Sequence, residues 1–135
     1  MKKCILIYNP VSGKKDFKNS LGYVEERLNE AGYNVTVVAT EKPKHAITLS
    51  KEACLEGYDL MVISGGDGTL HECINGLCNV GKRPRIGYIP AGTACDLANT
   101  LRIPKNVEKA MDIILQGEPV KMDVVQSNKG YFLYV

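Results

Sequence analysis

The sequence predicts an α/β fold, a doubly wound and mainly parallel sheet with helices on both faces. Three observations carry this. Strand-like apolar runs recur at 4–8, 33–39, 60–63 and 86–89, and the segments between the first three have helical spacing, which is a βαβαβ rhythm. The runs are nearly continuous in apolar character, as suits strands buried on both faces of a parallel sheet. Small, hydroxylated or glycine residues follow every run, at the ends where open α/β sheets hold ligands.

Between the first two runs Leu21, Val24, Leu28 and Ala31 recur at steps of three and four, and Gly32 supplies a stop for that helix. Ala46, Leu49, Ala53 and Cys54 repeat the pattern before Gly57. The third run leads through Gly65-Gly66-Asp67-Gly68-Thr69 into an amphipathic helix over 70–77, which makes those five residues a tight strand-to-helix turn. After Ile89 come a second glycine turn and two further helices, near 94–101 and 106–116. The segments 120–126 and 131–135, joined by Ser127-Asn128-Lys129-Gly130, read as an antiparallel hairpin. Its last strand ends in apolar Tyr131-Phe132-Leu133-Tyr134-Val135 with no polar tail, so we expect a fragment whose sheet continues into more protein.

A chain of 135 residues with 44% hydrophobic content is one domain's worth of core. A net charge of +2 is too small to argue for nucleic acid, although Lys14-Lys15, Lys42, Lys44 and the 82–85 segment are basic spots open to an anionic ligand, a membrane surface or plain solvation. The five cysteines form no C-x-x-C pair and read as free thiols of a reducing cytosol. No apolar run approaches the ~18 residues that span a bilayer, and the first is too short for a signal peptide's core, so membrane contact would be peripheral.

The turn at 65–69 is where phosphate would sit. Its glycines would let the backbone take positive φ and approach a ligand, while the amides opening the next helix carry the positive end of the dipole. A carboxylate among those amides repels phosphate unless a cation lies between, so Asp67 points to a magnesium-phosphate site, with a helix N-cap as the alternative. The other strand exits deliver Asn9-Pro10-Val11-Ser12-Gly13, Ala39-Thr40-Glu41 and Pro90-Ala91-Gly92-Thr93 to the same edge. Asn9-Pro10 alone could be a turn initiator, and Ser12-Gly13-Lys14-Lys15 lacks the P-loop spacing. Glu72 would face the same mouth or serve as a first-turn glutamate on the dipole. His71 has no second His or Cys at ligand spacing, and His45 is expected as an exposed helix-start residue.

The segments N-P-V-S-G at 9–13, G-G-D-G-T-L-H-E at 65–72 running on to I-N-G-L at 74–77, and I-P-A-G-T-A-C-D-L-A at 89–98 resemble the catalytic domain of the diacylglycerol kinase family. Sphingosine and ceramide kinases are more distant relations of that family, and NAD kinase and 6-phosphofructokinase share its G-G-D-G turn. The resemblance implies transfer of the ATP γ-phosphoryl group, with magnesium, to a hydroxyl of a diacylglycerol-like lipid. It implies nucleotide contacts at Asn9, Pro10, Val11, Ser12, Gly13, Thr40, Gly65, Gly66, Asp67, Gly68, Thr69, Leu70, Glu72 and Thr93. Asp67 would steer the metal, and Asp67, Asp96 and Asp123 fall at positions the family keeps acidic, which marks them as the catalytic candidates. The implied setting is phospholipid biosynthesis in the cytoplasm or peripherally at the inner membrane surface, with a homodimer left open.

Two departures bear on this. Cys95 stands where the family usually has an asparagine, trading an amide for a weakly bonding thiol. Family enzymes also continue into a β-rich domain that supplies lipid-binding surface, further metal ligands and the catalytic base. We therefore expect residues 1–135 to be the nucleotide-binding domain, binding nucleotide weakly and inactive as a kinase alone. Rival readings are an NAD kinase-like enzyme with a soluble acceptor and a non-catalytic nucleotide-binding regulatory module.

Overall fold

The structure, a computed structural model, describes residues 2–10, 16–77, 84–91, 106–116, 123–127 and 130–134. Strand β1 (Lys2–Tyr8) leads to helix α1 (Asp16–Glu30), β2 (Tyr33–Ala39), α2 (His45–Leu55), β3 (Leu60–Gly65), α3 (Asp67–Leu77) and β4 (Arg85–Pro90). Helix α4 (Val107–Gln116) and a hairpin of β5 (Asp123–Ser127) and β6 (Gly130–Tyr134) follow. The predicted helix near 94–101 lies outside the described residues.

The first four strands form one parallel sheet in the order β2-β1-β3-β4. From β1 the chain winds outward to β2, then returns past β1 to β3 and continues to β4, so the winding direction reverses between β1 and β3. Crossovers of one hand then place helices on opposite faces. Alternate strand residues confirm the layering. Ile5, Ile7, Met61 and Ile63 face α2 and α3, where they pack with Ala46, Ala53, Leu70, Cys73, Ile74 and Leu77. Cys4, Leu6, Val62 and Ile89 face α1 and α4, packing with Val24, Leu28, Ala110, Met111 and Ile114. This is the doubly wound α/β fold that the apolar runs predict.

Element ends follow local chemistry. Helix α1 stops at Glu30 and Gly32 takes φ of 96°, so Ala31, expected within the periodic face, is instead exposed in the turn. Helix α2 ends in a Schellman arrangement: the Gly57 amide donates to the Cys54 carbonyl, the Tyr58 amide to Ala53, and Gly57 takes φ of 78°. Helix α4 is opened by Asn106, whose Oδ1 accepts from the Lys109 amide at 3.0 Å. The hairpin is antiparallel as expected, forms a separate two-stranded sheet, and runs its β6 strand beside α3. Cys4, Cys54 and Cys73 are thiols outside any disulfide. Burial pushes the Cys4 and Cys73 thiols up to about 12, so both stay protonated at neutral pH.

Candidate functional site

The reversal of winding between β1 and β3 opens a crevice at the carboxyl ends of those strands, where open α/β sheets place ligands. Backbone hydrogen bonds continue the sheet one residue past the strands and line up four loops along this edge. The Thr40 amide donates to the Tyr8 carbonyl at 2.9 Å, Asn9 to Ser64 at 3.0 Å, and Ala91 to Gly65 at 3.0 Å. The loops after β2, β1, β3 and β4 therefore leave the sheet side by side, as the sequence reading requires.

The β3 exit is held on several sides. The Gly65 carbonyl accepts a second bond, from the buried Tyr88 hydroxyl at 2.8 Å. Above it Thr69 folds back so closely that a Cβ on Gly65 would lie 2.8 Å from Thr69 Cβ and Oγ1. That approach lets Thr69 Oγ1 accept from Asn9 Nδ2 at 3.3 Å, which joins the β1 loop to the first turn of α3. Gly65 is thus required by contact, not by dihedral angle. Among the described residues the positive-φ glycines are Gly32 and Gly57, so the expectation of positive φ in the 65–69 turn is corrected.

For Asp67 the N-cap alternative falls away. The Gly66 carbonyl accepts from the Leu70 amide at 3.2 Å, which makes Gly66 the N-cap and Asp67 the first helical residue. Its carboxylate is not the cap; it sits half-buried in the first turn at the positive end of α3. Gly68 is exposed, and a Cβ there would meet nothing within 4 Å. Among the described residues, packing therefore does not require a glycine at 68.

The other candidates divide in two. Thr40 and Glu72 are half-buried, Pro10 is exposed, and Leu70 is buried in the core beneath the turn. Val11, Ser12, Gly13, Thr93 and Asp96 lie outside the described residues. Asp123 begins β5, in register with Tyr134. His45 is corrected from exposed to half-buried: its Nδ1 accepts from the Glu41 amide at 3.0 Å, closing the loop that carries Thr40. Among the described residues no group of three or more His, Cys, Asp or Glu side chains could hold a metal by itself. Tyr88 and Ser64 escaped the sequence reading because each sits within an apolar strand. Tyr88 anchors the turn, while the Ser64 hydroxyl, one residue before it, is buried without a hydrogen-bond partner among the described residues.

With this geometry in place, residues 3–127 match the family model for the diacylglycerol kinase catalytic domain. The chain belongs to the diacylglycerol kinase catalytic-domain family. It is 42% identical over 132 residues to a diacylglycerol kinase of Staphylococcus carnosus (strain TM300), covering 98% of this chain and 43% of the relative. It is 40% identical to one of Staphylococcus aureus (strain bovine RF122 / ET3-1), covering 98% of this chain and 42% of that one. A crystal structure of a diacylglycerol kinase from Bacillus anthracis str. Sterne superposes with a TM-score of 0.85 at 32% identity, covering 97% of this chain and 45% of that one. The chain thus spans less than half the length of these relatives. Among the described residues no helix is long and apolar enough to cross a membrane.

Proposed function

We propose that this domain is the nucleotide-binding part of an ATP- and magnesium-dependent kinase that phosphorylates the hydroxyl of a diacylglycerol-like lipid. The observation that carries the reading is the linked pair of loops at the winding reversal, where Asn9 is bonded to Thr69 and the N-terminus of α3 stands clear of other described residues at Gly68. Family membership supports the lipid acceptor.

The residues present fit both groups. The first-turn amides and the dipole of α3 suit phosphate oxygens, and Gly68 leaves room for them. Magnesium commonly takes one or two protein carboxylates and completes its shell with phosphate oxygens and water, a demand that Asp67 alone meets. When bound, the two would supply the transferable phosphoryl group and the neutralisation of its charge. The chain's own task is then positioning. Tyr88 and Ala91 fix the Gly65 carbonyl, Gly65 fixes Thr69, and Thr69 holds Asn9, so the amides of the turn are preset. Preset dipoles need no reorganisation as charge moves. The acceptor surface and the general base are assigned to a second, β-rich domain, and the 135 residues alone are expected to turn over lipid at a negligible rate.

The test is calorimetric titration with magnesium-ATP of wild type, Asp67→Ala and Gly68→Ala. Gly68→Ala adds a Cβ that meets nothing within 4 Å among the described residues, so its thermal midpoint should hold while nucleotide affinity falls about tenfold or more. Asp67→Ala should abolish the magnesium dependence of binding. Full affinity in both variants would overturn the assignment of the turn.

A further inference from the structure

At Gly76 helices α2 and α3 cross with almost no side chain between them. A Cβ on Gly76 would run into the Ile47 carbonyl oxygen and lie 2.9 Å from Ser50 Cβ. At this crossing the Ser50 hydroxyl, itself fully buried, donates to the Cys73 carbonyl oxygen at 2.6 Å. Around it lies the apolar cluster to which α2 gives Ala46 and Ala53 and α3 gives Cys73 and Ile74, among others. Apolar burial is non-directional, so it holds the helices together without setting how far one slides along the other. The hydrogen bond from the Ser50 side chain of α2 to the backbone of α3 is directional.

Its consequence lies at the other end of the helices. Both follow parallel strands, so both begin at the carboxyl edge of the sheet: α2 from the loop carrying Thr40 and closed by His45, α3 from the glycine turn. We propose that Ser50 is a positioning residue for the nucleotide site. Acting through the Cys73 carbonyl, in the close approach that Gly76 permits, it fixes α3 against α2 and so sets the gap between Thr40 and the first turn of α3. A phosphate cradle is sensitive to displacements well below a helical turn, so loosening this one bond changes the cradle without unfolding it. The inference rests on the nucleotide reading of the turn.

The test compares Ser50→Ala and Gly76→Ala with Gly87→Ala, which crowds Ile114 on the opposite face of the sheet, 2.8 Å from its side chain. Magnesium-ATP affinity is read by calorimetry, and amide exchange of residues 67–74 by mass spectrometry or NMR. Ser50→Ala should weaken binding about fivefold and Gly76→Ala, where it folds, about tenfold, with Gly87→Ala within about twofold of wild type. Losses that merely follow the thermal midpoint across all three variants, or unchanged affinity in Ser50→Ala, would overturn the role. If wild type itself binds no nucleotide, the site reading falls and exchange decides the positioning separately. Faster exchange of the first α3 turn in Ser50→Ala but not in Gly87→Ala sustains it, and equal exchange refutes it.

Discussion

The two faces of the sheet bury comparable apolar cores by different means. On the α2/α3 face the contacts reach the backbone: Gly76 against Ile47, Ser50 on the Cys73 carbonyl, Thr69 over Gly65, and Tyr88 on the Gly65 carbonyl. On the α1/α4 face the close contacts involve side chains, such as that of Ile114 against Gly87, and α1 is tied to α4 by a solvent-facing bridge from Arg27 to Asp112 at 2.9 Å. Side chains can repack; backbone cannot. The face that carries the candidate site is therefore the one whose geometry is least adjustable.

Substitutions of one kind on the two faces should separate them. Gly76→Ala forces the helices apart and should cost about 2 kcal/mol by urea denaturation, the range typical of overpacking. A smaller effect should be shared by the faces, since Cys4 lies on one and Cys73 on the other, each held near 12 by burial. Their folded values lie above the ordinary 9.0, so the unfolded chain loses protons first as pH rises, and stability should fall from about pH 9 toward 12. By pH 10 the loss should be about 1 kcal/mol per thiol, and a Cys4→Ala/Cys73→Ala variant should flatten the alkaline limb. Gly87→Ala, which meets side-chain atoms of Ile114 where Gly76→Ala meets a backbone carbonyl, should cost about 1 kcal/mol. If it costs as much as Gly76→Ala, the contrast between the faces collapses. The smallest effect should come from Asp112→Ala. Asp112 and the neighbouring Tyr23 hydroxyl raise the Arg27 guanidinium further, but the pair is screened by water and scanning calorimetry should resolve no shift in the midpoint.

Much of this arrangement is legible in the sequence. The second strand occupies the predicted run Tyr33–Ala39, and Gly32 and Gly57 follow their helices as expected, both at positive φ. These are local properties, set by residues a few positions apart. Strand order was not readable, because right-handed crossovers restrict the possible sheets without choosing among them. Nor were the roles of Gly65 and Gly76. A glycine in a sequence announces conformational freedom, whereas these two answer to Thr69, to Ile47 and to Ser50. Asp67 shows the same limit, since cap and first helical residue differ by one position and only the Leu70 to Gly66 bond decides between them.

The strand order β2-β1-β3-β4 also has a meaning for assembly. Taken in the order of synthesis, β2 adds to one side of β1, β3 to the other, and β4 to the outside of β3. Each newcomer finds an open edge, and no ladder already zipped has to be reopened to admit it. A parallel sheet, slow to form because its pairings are distant in sequence, can thus grow outward from its first strand as the chain leaves the ribosome.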